Sequence, residues 1–336
     1  MNIYALNTVR SGLDTIDLVS KRIAVAGVIG LSHRDPGDSI SDYVYQADWC
    51  QSRKLNFIEV ETYGLSSEAD KGTLLDLNID VLMVTGWQRL IPQWFIDHCT
   101  ICAIGAHGSP LGITKGRGRS PQNWALILGM KTFDISIFEM DADMDSGRII
   151  DTRQFSYSPF DDIKTSYYKT CLLTADMLVE ALQAPTFSHR KFSAQAHDQA
   201  EYFPQRTPHD GAIDWHRSNR EIARFVRALT KPYPGAETEV EGQPVRIWSA
   251  LPFDIDITDH CSPGEIMKIF NKGDVLVKAA EGYVLIDDYT AEGVALREGM
   301  QFASCSFKEQ MKVIIDRHER KYPHLPLSPE IKKYKG

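Results

Sequence analysis

The sequence predicts an α/β protein with a doubly wound, mostly parallel sheet, followed by a small β-barrel. Three observations support this prediction. The length of 336 residues favours two domains over one. In the first part of the chain, short apolar runs alternate with segments of helical periodicity, as in a parallel sheet wound by helices. After Tyr202, five short β-like runs follow one another with glycines between them, as in a small barrel.

The strands and helices of the first domain follow from apolar runs and helical spacing. The predicted strands are residues 2–6, 22–31, 57–60, 81–85 and 149–155, and the predicted helices are residues 41–54, 69–77, 93–98, 122–129 and 161–182. No Gly-x-Gly-x-x-Gly follows the first strand, which argues against a nicotinamide dinucleotide fold. The polar, proline-containing stretch 183–199 is predicted to be a linker.

The remaining chain predicts a helix at 218–229, strands at 237–240, 245–249, 264–270, 275–279 and 283–286, and a last helix at 307–322. The Pro- and Lys-rich tail after that helix is expected to be loose. We therefore expect a first domain at 1–200, a β domain at 201–305, and a terminal helix with its tail at 306–336.

Composition limits the function. The net charge of −8 argues against a protein built mainly to hold nucleic acid. No window approaches the ~20 apolar residues that span a membrane, and no signal peptide is evident, so we expect a cytoplasmic protein. The six cysteines are scattered, as in a reduced compartment. Cys99 and Cys102 have redox spacing, but they run into an apparent strand and are predicted to be core thiols.

The stretch 105–147 contains the two candidate chemical groups, His107 and Asp145. Each lies where an apolar strand gives way to a glycine-rich loop, and ligands bind at such strand ends in α/β sheets. On spacing alone the two residues also fit a structural pair. Asp141, Asp143 and Asp145 resemble a calcium loop, but no Glu follows at the EF-hand offset, so no metal is expected.

Three segments carry a family resemblance. They are His-Gly-Ser-Pro at 107–110, Arg-Gly-Arg-Ser-Pro-x-x-Trp-Ala-Leu at 117–126, and Met-Asp-x-x-x-Asp-Ser-Gly at 140–147. Together they resemble the signature of formyltransferases that use N10-formyltetrahydrofolate, which reads Asn-x-His-x-Ser, Leu-Pro-x-x-Arg-Gly and Asp-x-Gly. The resemblance extends from about residue 81 to 288. It implies a Rossmann-like catalytic domain followed by an OB-like barrel.

The resemblance also implies roles for individual residues. His107 serves as base or oxyanion partner, and Asp145 fixes the His tautomer or stabilises its charged form. The loop 86–92 and the loop 140–147 form a slot for the folate, largely through backbone groups; its residues are Trp87, Arg89, Leu90, Ile91, Asp141 and Met144. The predicted substrate contacts are Arg117, Arg119 and Arg206. Arg117 and Arg119 are equally consistent with a solvated turn, and Arg206 with a salt bridge at the domain joint.

One position departs from the family pattern. The family's Asn two residues before the His is Gly105 here, so a side-chain donor to the oxyanion is missing. The predicted substitutes are the His107 ring, the Ser109 hydroxyl and the Asn123 amide, or a water for which glycine leaves room.

Three functions stay open. The first is formyl transfer to the amino group of a nucleotide-linked amino sugar, because residues 202–215 resemble the enzymes that formylate aminoarabinose on UDP, which would place the activity in lipopolysaccharide biosynthesis. The second is methionyl-tRNA formyltransferase, disfavoured because no long Lys/Arg-rich insertion is present. The third is a binding protein that keeps the fold without the chemistry. A homodimer is left open.

Overall fold

The structure is a computed structural model, and it describes residues 1–32, 40, 42–141, 143–185, 187 and 192–335. These residues form two compact units. The sheet unit comprises Met1–Arg117, Phe133–Phe155 and Tyr167–Ala200. The carboxy-terminal unit comprises Gly118–Thr132, Ser156–Ser166 and Glu201–Gly336. Two short earlier segments belong with the later chain, and so do the residues 306–336, for which a separate terminal segment was expected.

The secondary structure alternates between strands and helices. In chain order the elements are β1 (Ile3–Asn7), α1 (Arg10–Ser20), β2 (Gly27–Leu31), α2 (Ala47–Ser52), β3 (Asn56–Val60), α3 (Glu68–Leu75), β4 (Val81–Gly86), α4 (Gln93–His98), β5 (Cys102–Ser109), α5 (Gly112–Lys115), β6 (Arg117–Gly118), α6 (Pro121–Ile127), β7 (Thr132–Glu139), β8 (Ile149–Ser156), α7 (Ile163–Gln183), β9 (Tyr202–Phe203), α8 (Asn219–Leu229), β10 (Ala236–Val240), β11 (Gln243–Phe253), β12 (Ile266–Ile269), β13 (Val275–Lys278), β14 (Tyr283–Ala291), α9 (Phe307–Lys321) and α10 (Pro329–Lys332). Two short 3₁₀ helices cover His197–Gln199 and Pro208–Gly211.

The sheet unit contains the predicted doubly wound sheet, with strand order β3-β2-β1-β4-β5-β7-β8. β1 pairs with β2 and β4 in parallel, as do β2 with β3 and β4 with β5. β7 runs antiparallel to β5. The strand order reverses between β1 and β4, so the carboxyl ends of β1, β4 and β5 form the edge at which open α/β sheets bind ligands.

Alternation along the strands builds a core on each face of this sheet. Val81 and Met83 of β4 belong to one buried cluster, and Leu82 between them belongs to the other. The same alternation places Cys102 and Ile104 on one face of β5 and Ala103 on the opposite face. Side chains with a period of two point to opposite faces of a strand, so a sheet buried on both sides reads as a continuous apolar run.

Two predicted elements of the first domain are much shorter in the structure because other backbone hydrogen bonds replace the predicted pattern. The strand expected at 22–31 covers only Gly27–Leu31, since the backbone N–H groups of Arg22 and Ile23 still bond Val19 at the end of α1. The helix expected at 41–54 covers only Ala47–Ser52. Ser41 lies outside the described residues, and the N–H of Val44 bonds the carbonyl of Thr8 instead of a helical partner.

The carboxy-terminal unit contains the five predicted short strands as one antiparallel sheet, in the order β10-β11-β14-β13-β12. Helix α8 begins with a capping box, in which Ser218 accepts from the N–H of Glu221 and the Glu221 carboxylate accepts from Ser218. Ile222, Phe225 and Val226 of this helix are buried.

The tail expected to be loose is packed. Leu327 and Ile331 are buried, and the backbones of Pro326 and Ser328 bond Tyr202. Buried apolar side chains hold this polar tail in place. Its composition alone did not predict which residues they would pack against.

The residues expected to be a linker also have tertiary partners. Positions 186 and 188–191 lie outside the described residues. Ser193 exchanges two backbone hydrogen bonds with Ile149 of β8, which is why this part of the segment is fixed to the sheet unit.

Cys99 and Cys102 are core residues, as predicted. Cys99 and Cys102 are free and buried, and burial raises the pKa of each thiol to about 12. In the part of the chain that the structure describes, none of the helices combines the length and the apolar composition that a membrane span needs.

Candidate active site

His107 lies near the carboxyl end of β5, opposite Ser136 of β7. Its Nε2 is 2.8 Å from the carbonyl oxygen of Gly116. A carbonyl can only accept, so Nε2 carries a proton in this hydrogen bond. The Nδ1 atom is then the ring nitrogen left to exchange a proton. Only about a tenth of the side chain is exposed, so the ring is held in one orientation.

Asp145 faces that second nitrogen. Its Oδ2 lies 3.5 Å from His107 Nδ1, and a fifth of its side chain is exposed. The residue has a left-handed backbone, with φ of 52°, a conformation that costs a non-glycine residue on the order of 1 kcal/mol or more. The predicted pair is therefore brought together. A carboxylate beside an imidazole stabilises the charged ring when Nδ1 takes up a proton.

The turn that presents Asp145 is stabilised locally. The Asp141 carboxylate accepts from the Ser146 hydroxyl and from the N–H of Asp143 at 3.2 Å. Gly147 closes the turn against β7, because a Cβ there would lie 1.6 Å from the Glu139 carbonyl oxygen. Asp141 therefore stabilises the turn through these hydrogen bonds. Met144 is a partly exposed residue of the same turn.

Ser109 and Gly116 shape the turn on the other side of His107. Ser109 is fully buried, and its hydroxyl accepts from the N–H of Leu111 at 3.1 Å. A Cβ at Gly116 would lie 1.5 Å from the Ser109 Oγ, so this close packing requires glycine. A side chain with no exposed surface does not contact a ligand, and Ser109 instead helps to place the carbonyl that receives His107.

Gly105 does not leave the room expected for a water. A Cβ there would lie 3.0 Å from Phe138 and 3.1 Å from Met140. Phe138 is the partner of Gly105 across β5 and β7, and it is buried. The space next to the missing amide is therefore filled by two apolar side chains, which corrects the expectation of an open position.

Asn123 and Arg119 lie in the carboxy-terminal unit. Asn123 is buried on α6, and its amide nitrogen donates to the carbonyl of Ala228 at 2.7 Å. The amide predicted as an oxyanion donor thus already has an acceptor. Arg119 is exposed, and its backbone N–H lies 3.4 Å from the Phe203 carbonyl.

The loop after β4 divides into anchors and exposed residues. Trp87 and Ile91 are buried in the core on one face of the sheet, and Trp87 packs edge-on to Tyr63 with ring centroids 5.0 Å apart. Arg89 and Leu90 between them are exposed, Leu90 by 59%. Two anchored side chains hold the exposed residues between them, and the N–H of Gln88 in this stretch donates to the Tyr63 hydroxyl at 2.9 Å.

Arg117 and Arg206, both predicted to contact the substrate, are packed into the protein. Arg117 is 3% exposed, and its Nη2 donates to Gln195 at 2.8 Å. Arg206 lies over Trp124 and Phe225, at 4.9 and 5.6 Å from the ring centroids, and bonds the Asp210 carbonyl. Burial lowers the pKa of the Arg206 guanidinium to about 10. Both guanidinium groups therefore already have protein partners.

Gln195 is a site residue that the sequence did not reveal. Its amide nitrogen donates to the carbonyls of Asp145 and Gly147, at 2.9 and 2.7 Å. A glutamine in a polar, proline-containing stretch resembles any linker residue, so no local signal marked it. Within the described residues, no group of three or more His, Cys, Asp or Glu side chains is arranged to hold a metal ion.

Comparison with known proteins identifies the family of this chain. Residues 43–182 match the family model described as formyl transferase, and residues 206–304 match the formyl transferase C-terminal domain. Methionyl-tRNA formyltransferase of Acetivibrio thermocellus is 31% identical over 218 residues, which cover 64% of this chain and 68% of that protein. The chain belongs to the formyl transferase family. The predicted family and the predicted enzyme class, a folate-dependent N-formyltransferase, are confirmed.

Solved structures of low identity share the fold of this formyl transferase. HypX from Aquifex aeolicus, in complex with tetrahydrofolic acid, is 16% identical with a TM-score of 0.62 over 97% of this chain, and this chain spans 48% of that one. An N-formyltransferase from Helicobacter canadensis, in complex with folinic acid and dTDP-3-aminofucose, is 12% identical with a TM-score of 0.59 over 86% of this chain and all of that one. The predicted fold class is confirmed.

Proposed function

We propose that this formyl transferase moves a formyl group from N10-formyltetrahydrofolate to the amino group of a nucleotide-linked amino sugar. The observation that supports transfer is the pair formed by His107 and Asp145 at the end of β5, with Nε2 held by the Gly116 carbonyl. A base is needed because the attacking amine must lose a proton as its nitrogen bonds the formyl carbon.

The pair would act through His107 Nδ1. This nitrogen takes the proton released by the amine, and the Asp145 carboxylate stabilises the charged ring. The same proton then returns to the nitrogen of the departing tetrahydrofolate, so the pair ends the cycle unchanged. The donor supplies the activated formyl group.

His107 is also the best candidate for the missing oxyanion donor. Of the three side chains considered, Ser109 is fully buried and the Asn123 amide donates to Ala228. His107 is partly exposed, and once Nδ1 has taken up the proton of the amine, its N–H can donate to the oxyanion. A donor at the oxyanion is worth about 10²–10³-fold in rate, so the loss of the family's Asn needs such a substitute.

Two observations favour a sugar acceptor over a tRNA. The Helicobacter canadensis enzyme, which shares the fold, is seen with dTDP-3-aminofucose. The net charge of −8 does not suit an acceptor whose many phosphates attract basic surfaces. Sequence relatives such as the Acetivibrio thermocellus protein carry the name methionyl-tRNA formyltransferase, so the tRNA enzyme remains the second candidate.

The donor half of the proposal is tested by calorimetry with 5-formyltetrahydrofolate. We expect a Kd in the micromolar range, on the order of −8 kcal/mol. Leu90→Glu puts a charge on the exposed loop and is expected to raise Kd about tenfold, or ~1.4 kcal/mol. Leu75→Glu is the matched control, because Leu75 of α3 is similarly exposed at 52%. Absence of folate binding to the wild type would contradict the proposal.

A further inference from the structure

Gln195 joins the two segments that flank His107. Its side chain is 6% exposed. On one side Nε2 donates to the carbonyls of Asp145 and Gly147. On the other side Oε1 accepts from Arg117 Nη2 at 2.8 Å and from Thr114 Oγ1 at 3.3 Å. Carbonyls only accept and a guanidinium only donates, so the orientation of this amide is fixed by its partners.

Each of these contacts reaches a residue that sets the geometry of the pair. Asp145 holds its carboxylate 3.5 Å from His107 Nδ1 while its own backbone is left-handed. A conformation of that kind persists only when surrounding groups hold it. Arg117 directly follows Gly116, whose carbonyl receives His107 Nε2. One carboxamide therefore contacts the chain segments that contact both nitrogens of the ring.

We propose that Gln195 is a positioning residue that holds the Asp145 carboxylate against His107. It uses all of its hydrogen-bonding capacity, two donors and two acceptor lone pairs, on these two segments. Loss of the amide frees the Asp145 turn to move away from the ring. The kinetic consequence rests on the proposed function, whereas the structural consequence for His107 does not.

Two variants separate the two sides of the amide. Gln195→Met removes all four hydrogen bonds without adding charge. Gln195→Glu keeps acceptors for Arg117 and Thr114 but cannot donate to the carbonyls of Asp145 and Gly147. Gln183→Glu is the matched control, since Gln183 is exposed and bonds the Arg22 carbonyl at 3.4 Å. Should a Gln195 variant fail to fold, Gln195→Asn keeps the amide but withdraws it by one methylene.

The first readout needs no substrate. The imidazole ¹⁵N shifts of His107, assigned by their loss in His107→Ala, are expected to change in Gln195→Met and Gln195→Glu and not in Gln183→Glu. Unchanged shifts in a folded Gln195 variant overturn the proposal. If the wild type transfers no formyl group and the shifts still change, the positioning role holds and the proposed function fails.

The second readout is kinetic. We expect kcat to fall roughly 10- to 100-fold in both Gln195 variants, with KM little changed, because a displacement near 1 Å can cost that much. If Gln195 acts through Asp145, the same substitutions have little effect in an Asp145→Asn background. An equal fall in that background contradicts the proposal and assigns Gln195 a general structural role.

Discussion

At the scale of single residues, His107 has both ring nitrogens assigned to a partner. Nε2 donates to Gly116, and Nδ1 faces Asp145. The sequence identified His107 and Asp145 from their places at strand ends, and it identified Gly105 as the departure from the family pattern. It did not predict what surrounds Gly105, because Phe138 reaches that position only through the pairing of β5 with β7.

Gly105→Asn tests whether the space beside Gly105 is filled by Phe138 and Met140. We expect the free energy of unfolding to fall by about 1–3 kcal/mol, since the new side chain must displace Phe138 and Met140 from a packed space. We also expect kcat no higher than that of the wild type. Denaturant unfolding and steady-state rates measure the two effects.

The matched control for that substitution is Gly72→Asn. Gly72 is exposed on α3, and a Cβ there meets no atom within 4 Å. Its stability should change by about 0.5 kcal/mol or less, as at most surface positions. A Gly105→Asn protein as stable as the wild type would show that the position is open after all.

At the scale of elements, local patterns predicted β4 and α4 closely, because continuous apolar runs and a proline before a helix are local signals. They failed where a distant partner decides the backbone. The N–H of Val44 bonds the carbonyl of Thr8, where a helix was predicted. Ser193 bonds Ile149 of β8, where a linker was predicted. Gln195 was missed for the same reason, since its role depends on two loops far away in sequence.

Substitution tests the pair formed by His107 at the end of β5 and Asp145 in the 140–147 turn. His107→Ala and Asp145→Asn should each lower kcat by about 10²–10⁴-fold, the range of proton-transfer catalysis. Because the two residues act as a unit, the double variant should be little slower than the poorer single variant. Steady-state kinetics at saturating donor measure this.

His98→Ala is the control for these substitutions. His98 is partly buried on α4 and also bonds a carbonyl, that of Leu77 at 2.8 Å, so it reproduces the contact that His107 makes with Gly116. Its kcat should stay within a few-fold of wild type. Activity near wild type in either His107→Ala or Asp145→Asn would remove that residue from the proposed mechanism.

At the scale of the whole molecule, the sequence was enough to predict the family and the fold class. Both follow from motifs and from the order of elements, which local residues encode. The acceptor is harder to predict, because specificity is a difference between the contacts made with two substrates. Arg117 and Arg206 illustrate this: the sequence predicted substrate contacts, and the structure packs both guanidinium groups against protein.

The most direct test of formyl transfer is a product assay with a panel of acceptors. Purified protein and N10-formyltetrahydrofolate are incubated with UDP-, GDP- and dTDP-linked amino sugars and, separately, with methionyl-tRNA, and products are identified by mass spectrometry. We predict an N-formylated nucleotide sugar with the wild type and a rate lower by about 10² or more with His107→Ala. Formylation of methionyl-tRNA with no sugar product, or equal rates in the two proteins, would contradict the account.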